Sequence, residues 1–192
     1  MFSELKEHFW YSFMAILLGM LLVFVFFKQI TPYSYNIFYI MHPLHVFFSA
    51  YATVSLYRIL SKKINIWKLL LVVILAAVLI PIISDSLIPY YVEFLFKMPS
   101  REVHIGFIEE IFVVNGALLL GVVCGAFKPI KHLPHFWHVL VSSFASVLHV
   151  VMSNQDFIFT PSIYFVVFLF LVLGVWIPCV ASDIVVPVAF KD

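Results

Sequence analysis

The chain is short of charge, of glycine and of cysteine, and each shortage excludes something. Asp, Glu, Lys and Arg together make up 11% of the residues, too few to solvate the surface of a water-soluble domain. Lys and Arg number 11 against 10 acidic residues and stand singly at the ends of apolar runs, so no basic patch for nucleic acid exists. The six glycines form no phosphate-binding loop, and no dinucleotide fingerprint, HExxH zinc helix or nucleophile elbow occurs. The two cysteines, Cys124 and Cys179, fall in separate apolar stretches, a spacing that points neither to a disulfide framework nor to a cysteine-based zinc site. Low-complexity segments and long linkers are lacking too. The first apolar run is too long for a signal-peptide core, has no small-x-small cleavage site and follows Glu4 and Glu7, so it is expected to be a retained helix.

What fills the chain is apolar. Hydrophobic residues reach 64%, Phe alone contributes 22, and the mean hydropathy is +1.11. A soluble core of this size could not hide that surface, which predicts an all-α integral membrane protein. Apolar runs cover roughly residues 11–30, 37–60, 66–90, 111–127, 135–152 and 163–189, each near the ~20 residues of a transmembrane helix, with the fourth the shortest. In a six-span arrangement Lys6, Arg58, Lys62, Lys63, Lys68, Lys128, Lys131 and Lys191 share one side against Lys28, Lys97 and Arg101 on the other. Retention of positive flanks in the cytoplasm predicts both termini there.

The chain also says the same thing twice. His42-Pro43-Leu44-His45-Val46, followed by Ser49, Ala52, Thr53 and Val54, returns as His135-Phe136-Trp137-His138-Val139, followed by Ser142, Ala145, Ser146 and Val147. About forty residues later Ser84-Asp85 leading to Pro89 is answered by Ser182-Asp183 leading to Pro187. Polar phrases repeated in order predict two fused copies of one unit, residues 1–96 and 102–192, within a single membrane domain. The polar stretch Lys97–Arg101 is the expected boundary. Three spans per copy is an odd number, so the copies would enter the membrane from opposite sides as two inverted three-helix repeats. Pro81, Pro89, Pro178 and Pro187 are the expected helix breaks of such an architecture.

The His phrase is expected to open a helix in each copy, with Pro43 in the first turn. At 100° per residue the two histidines and the small residues share one face, where Ser49, Ala52, Ser142 and Ala145 serve close helix packing. By depth, His42 and His45 are expected to meet Asp85 on the outer side, and His135 and His138 to meet Asp183 on the inner side. An aspartate inside a span costs about 2.5–3.5 kcal/mol on insertion scales, and one that recurs calls for a compensating partner. Two imidazoles and a carboxylate suit a divalent transition metal, so these six residues are the expected metal ligands. His104, Glu109, Glu110 and His149 are supplementary candidates.

The function expected from this pattern is a small multi-pass transporter or permease for a divalent metal cation. Proton coupling is natural, because these ligands lose protons to bind metal. The bilayer is its environment, and a homodimer would thicken the wall of a six-helix pathway. The alternative is a membrane-embedded metalloenzyme using one 2-His-1-carboxylate site, which preservation of both copies disfavours. A haem protein and a substrate-capturing subunit of a larger uptake complex are further readings.

Overall fold

The computed structural model describes residues 2–130, 133–153 and 160–191, without the side chains of 2–4 and 133–135. Among the described residues there is no strand. Among the described residues six long helices carry the fold: α1 (Phe2–Ile30), α2 (Ser34–Leu60), α3 (Ile66–Leu95), α4 (Ile111–Phe127), α5 (Leu133–Met152) and α6 (Pro161–Phe190). Three helical stretches, Leu5–Leu60, Ile66–Leu95 and Pro161–Phe190, are long and apolar enough to cross a membrane, whereas Ile111–Phe127 and Phe136–Met152 are apolar but shorter.

The first stretch is folded back on itself. Fifty-six helical residues in a straight line would reach about 84 Å, far beyond a hydrocarbon layer of about 30 Å. Phe26 leaves helical geometry (φ −114°, ψ 28°), and a 3₁₀ turn at Thr31–Tyr33 follows. The consequence is visible at α5. α1 runs parallel to it, with Tyr11 against Phe136 and Gly19 against Val147, while α2 runs antiparallel, with Phe38 against His149 and Phe48 against Trp137.

Local chemistry sets the other ends. Asn65 caps α3 by accepting from the backbone N–H groups of Trp67 and Lys68, and Thr160 caps α6 through Ile163. α3 stops in a Schellman turn: Lys97 takes φ +54°, its N–H reaches the Phe94 carbonyl, and the Met98 N–H reaches that of Glu93.

Polarity is arranged inside out. Phe112 is 90% exposed and Phe127 85%, while His42, His45, Asp85, Glu93, His138 and Asp183 are buried. A water-soluble protein does not expose apolar surface on this scale; a bundle in lipid does, and turns its ionisable groups inward. α4 lies close against α2 because Gly121 and Gly125 are spaced by four. A Cβ on Gly121 would stand 2.3 Å from the Phe47 carbonyl oxygen, and one on Gly125 would stand 2.8 Å from Val54 Cβ.

Two local features depart from, or sharpen, the sequence reading. α2 begins at Ser34, so Pro43 lies inside it and the first His phrase does not open a helix. The aromatic residues ahead of the phrase extend the helix upstream, which carries His42 and His45 more than two turns from its start. The second phrase does lie near the start of α5, with Pro134 its second residue. α3 and α6 each widen into a π turn at the repeated Ser-Asp pair, Ile83–Leu87 in one and Ala181–Val185 in the other. Pro89 and Pro187 stand four residues beyond the aspartates and cannot donate the N–H that an α-helix would give those carbonyls.

Candidate metal centre

The centre is built where α2 crosses α5, flanked by the π turns of α3 and α6. Antiparallel crossing brings His45 and His138, which hold the same place in the two sequence phrases, ring to ring at 4.6 Å between centroids and 26° between planes. Behind each ring stands an aspartate. His45 Nδ1 donates to Asp85 Oδ2 at 2.6 Å, and His138 Nδ1 donates to Asp183 Oδ1 at 2.6 Å.

Asp85 is heavily committed. Its Oδ2 also accepts from His42 Nδ1 at 2.9 Å, and its Oδ1 accepts from the hydroxyls of Ser84 at 2.8 Å and Ser142 at 3.0 Å. Asp183 Oδ2 lies 3.3 Å from His8 Nε2, across on α1. Hydroxyls tie the surrounding helices by matched bonds: Thr53 donates to the Ser182 carbonyl at 3.2 Å, and Ser146 donates to the Ser84 carbonyl at 3.0 Å. Ser49 joins the Ala76 carbonyl and the Ser182 hydroxyl at 3.0 and 2.9 Å, so this small residue of the packing face also carries hydrogen bonds between helices.

A carboxylate that holds Nδ1–H fixes the imidazole tautomer and leaves the Nε2 lone pair as the available ligand. The Nε2 atoms of His45 and His138 are buried and have no hydrogen-bond partner among the described residues. Leaving such atoms unsatisfied costs about 1–3 kcal/mol each, which an ion would relieve. One ring nitrogen of each, together with the buried Cys179 sulfur from α6, lie within 4.8 Å of one another, a group able to hold a metal ion. Two imidazoles and a thiol match the N/S preference of zinc and its neighbours and leave a fourth position open.

Three differences from the sequence reading follow. The two His-Asp clusters are joined at the His45–His138 contact instead of standing on opposite sides, because α2 starts early and the crossing point falls at these residues. The aspartates stand behind imidazoles as hydrogen-bond acceptors, a position from which they orient the rings. Cys179 completes the group, although its sequence gave no ligand spacing; one turn of helix before Asp183 on the inward face is the signal that was there to be read.

The remaining candidates are distributed. His42 is closed off from the central pair: its ring stacks on Phe38 at 5.5 Å, and a Cβ on Gly106 would stand 2.9 Å from its Nε2. The side chain of His135 lies outside those described. His104, His149 and Glu109 gather at the end of the bundle that carries the α1–α2 turn, and Glu110 stands half-buried at the N-cap of α4. Glu93, which the sequence reading passed over, is fully buried and accepts from His149 Nδ1 at 2.7 Å. No protein-family model matches the chain, and no match is found among curated proteins or solved structures.

Proposed function

We propose that the chain is a small multi-pass membrane permease for a divalent transition-metal cation, bound on its way by His45, His138 and Cys179. The observation that carries this is the paired imidazoles at the helix crossing, each backed by a carboxylate and each with a buried Nε2 that has no partner among the described residues. Six helices would cross the bilayer with both termini cytoplasmic, as two inverted repeats of residues 1–96 and 102–192. The alternating helix directions support this, as do the matched bonds of Thr53 and Ser146 and the π turn at each Ser-Asp pair. Equivalent histidines meeting at an antiparallel crossing are what a two-fold axis between the repeats produces.

A carrier needs a site that both faces can reach in turn, and a site on the symmetry axis is equidistant from both. Binding displaces the proton of the Cys179 thiol, and release takes it back, so cation movement is coupled to proton movement. The polar array from His8 through Asp183, His138, His45 and Asp85 to His42 supplies groups for that exchange. A membrane-embedded metalloenzyme is the second reading, favoured by one feature: a Cys-His-His set with an open fourth position is also a catalytic zinc arrangement.

The test is uptake of Zn²⁺ or Co²⁺ into liposomes carrying the purified chain, with His45→Ala and His138→Ala beside it. Equal loss of uptake in both variants, with folded protein retained, is the expected result. Uptake that survives both substitutions would overturn the reading.

A further inference from the structure

The central pair has a counterpart nearer the end of the bundle that carries the α1–α2 turn. There His104, in the connection between α3 and α4, meets His149 of α5 with ring centroids 5.4 Å apart and planes at 64°. Both Nδ1 atoms are held by carboxylates. Glu93 accepts from His149 Nδ1 at 2.7 Å, and Glu109 accepts from His104 Nδ1 at 3.2 Å. Both rings therefore present Nε2. That of His149 is buried with no partner among the described residues, and that of His104 lies 4.0 Å from a Glu102 carboxylate oxygen. Glu109 is fixed in turn by the Tyr39 hydroxyl and the Ile105 N–H.

One member of this pair, His104, borders a cleft, whereas both central rings are fully buried. A cleft of about 840 Å³ between the α1–α2 turn and the α3–α4 connection is lined by His104 and Glu102, with Lys28 and Tyr35 also on its walls. His104 is the wall residue whose ring also touches buried His149 and Phe38. Below it, Phe38 packs on both His149 and His42, at 5.5 Å from each, and separates this pair from the central array.

We infer that the cleft ends in a second divalent-cation site, formed by the Nε2 atoms of His104 and His149 and oriented by Glu109 and Glu93. Two imidazoles on one ion, each with a metal–nitrogen distance of about 2.0–2.1 Å, hold their ring centres about 4.5–5.5 Å apart, which the observed spacing meets. Water from the cleft fills the other positions, and Glu102 adds negative charge beside the ion. Burial lowers the pKa of His104 below the ordinary histidine value, reinforced by nearby His149 and opposed by Glu102. The site rests on the permease reading for its role, as the station that receives the ion before the central pair, but not for its residues.

Co²⁺ titration of the full-length chain in detergent separates the two sites, because only the central one has a thiolate and hence a sulfur-to-cobalt charge-transfer band. The wild type should bind two ions per chain. His149→Ala should lose one and keep that band, whereas Cys179→Ser should lose the band and keep the outer ion. Glu93→Gln preserves shape and should weaken the outer ion about 10–100-fold, which carries the test should His149→Ala fail to fold. A single ion whose charge-transfer band and affinity are unmoved by His149→Ala, His104→Ala and Glu93→Gln would overturn the inference. Loss of both ions together in folded His149→Ala would do the same. A missing charge-transfer band with an outer ion that disappears in His149→Ala would leave this site standing and remove the central one.

Discussion

His45 and His138 stack at 4.6 Å while each donates Nδ1 to an aspartate on a different helix, Asp85 on α3 and Asp183 on α6. Four helices thus converge on one ring pair. Neither imidazole can reorient without breaking a buried bond to a carboxylate, so both are presented in one tautomer to whatever binds between them and Cys179.

Replacing the aspartates tests that orientation. Asn keeps an acceptor but turns an NH₂ toward the donors, and Asp85 serves four of them. Asp85→Asn and Asp183→Asn should each lower metal affinity about 10–100-fold in a competition assay with a chromogenic chelator. Asp85→Asn should also lower the melting temperature in detergent. Unchanged affinity in both would mean that the carboxylates do not act through the imidazoles.

Cys179 should decide which metals are preferred. Thiolate favours soft and borderline ions, so Cys179→Ser should weaken Cd²⁺ and Zn²⁺ far more than Mn²⁺. Isothermal titration with the three ions measures this, and equal weakening of all three would remove the sulfur from the ligand set.

The close approach of α4 to α2 yields a packing test with an internal control. Gly121→Ala places a methyl 2.3 Å from a backbone oxygen that cannot retreat, and should destabilise by about 1–3 kcal/mol. Gly116→Ala, on the same helix with nothing within 4 Å, should be neutral or slightly stabilising through its higher helix propensity. Thermal unfolding in detergent compares them; equal effects would argue against the Gly121 contact.

Sidedness is expected to follow the positive charges. Reporters fused after Asp192 and within residues 61–65 should behave as cytoplasmic, and one placed at Ser100 as external. An external carboxyl terminus would leave an odd number of spans and dissolve the inverted arrangement.

Composition and the length of the apolar runs decided that this chain is helical with stretches long and apolar enough to cross a membrane, because runs of about 20 apolar residues suit a helix that satisfies its own backbone. The repeated phrases single out His42, His45, Asp85, His135, His138 and Asp183, since ionisable residues are costly in apolar helices and stand out against them. Depth was the weaker guide. It depended on where helices begin: the first His phrase is expected to open a helix, and α2 begins at Ser34, eight residues before His42. Only the tertiary structure could decide that α2 crosses α5 at the two histidines, which merges two clusters into one and turns the aspartates into supports. It also brought in Cys179, Glu93 and the Phe38 ring, none of which recurs in the sequence pattern. Repeated phrases point to contacts made by the residues they contain. Cys179, outside the repeated phrases, enters the site through the crossing of helices far apart in the chain, and no local pattern encodes that crossing.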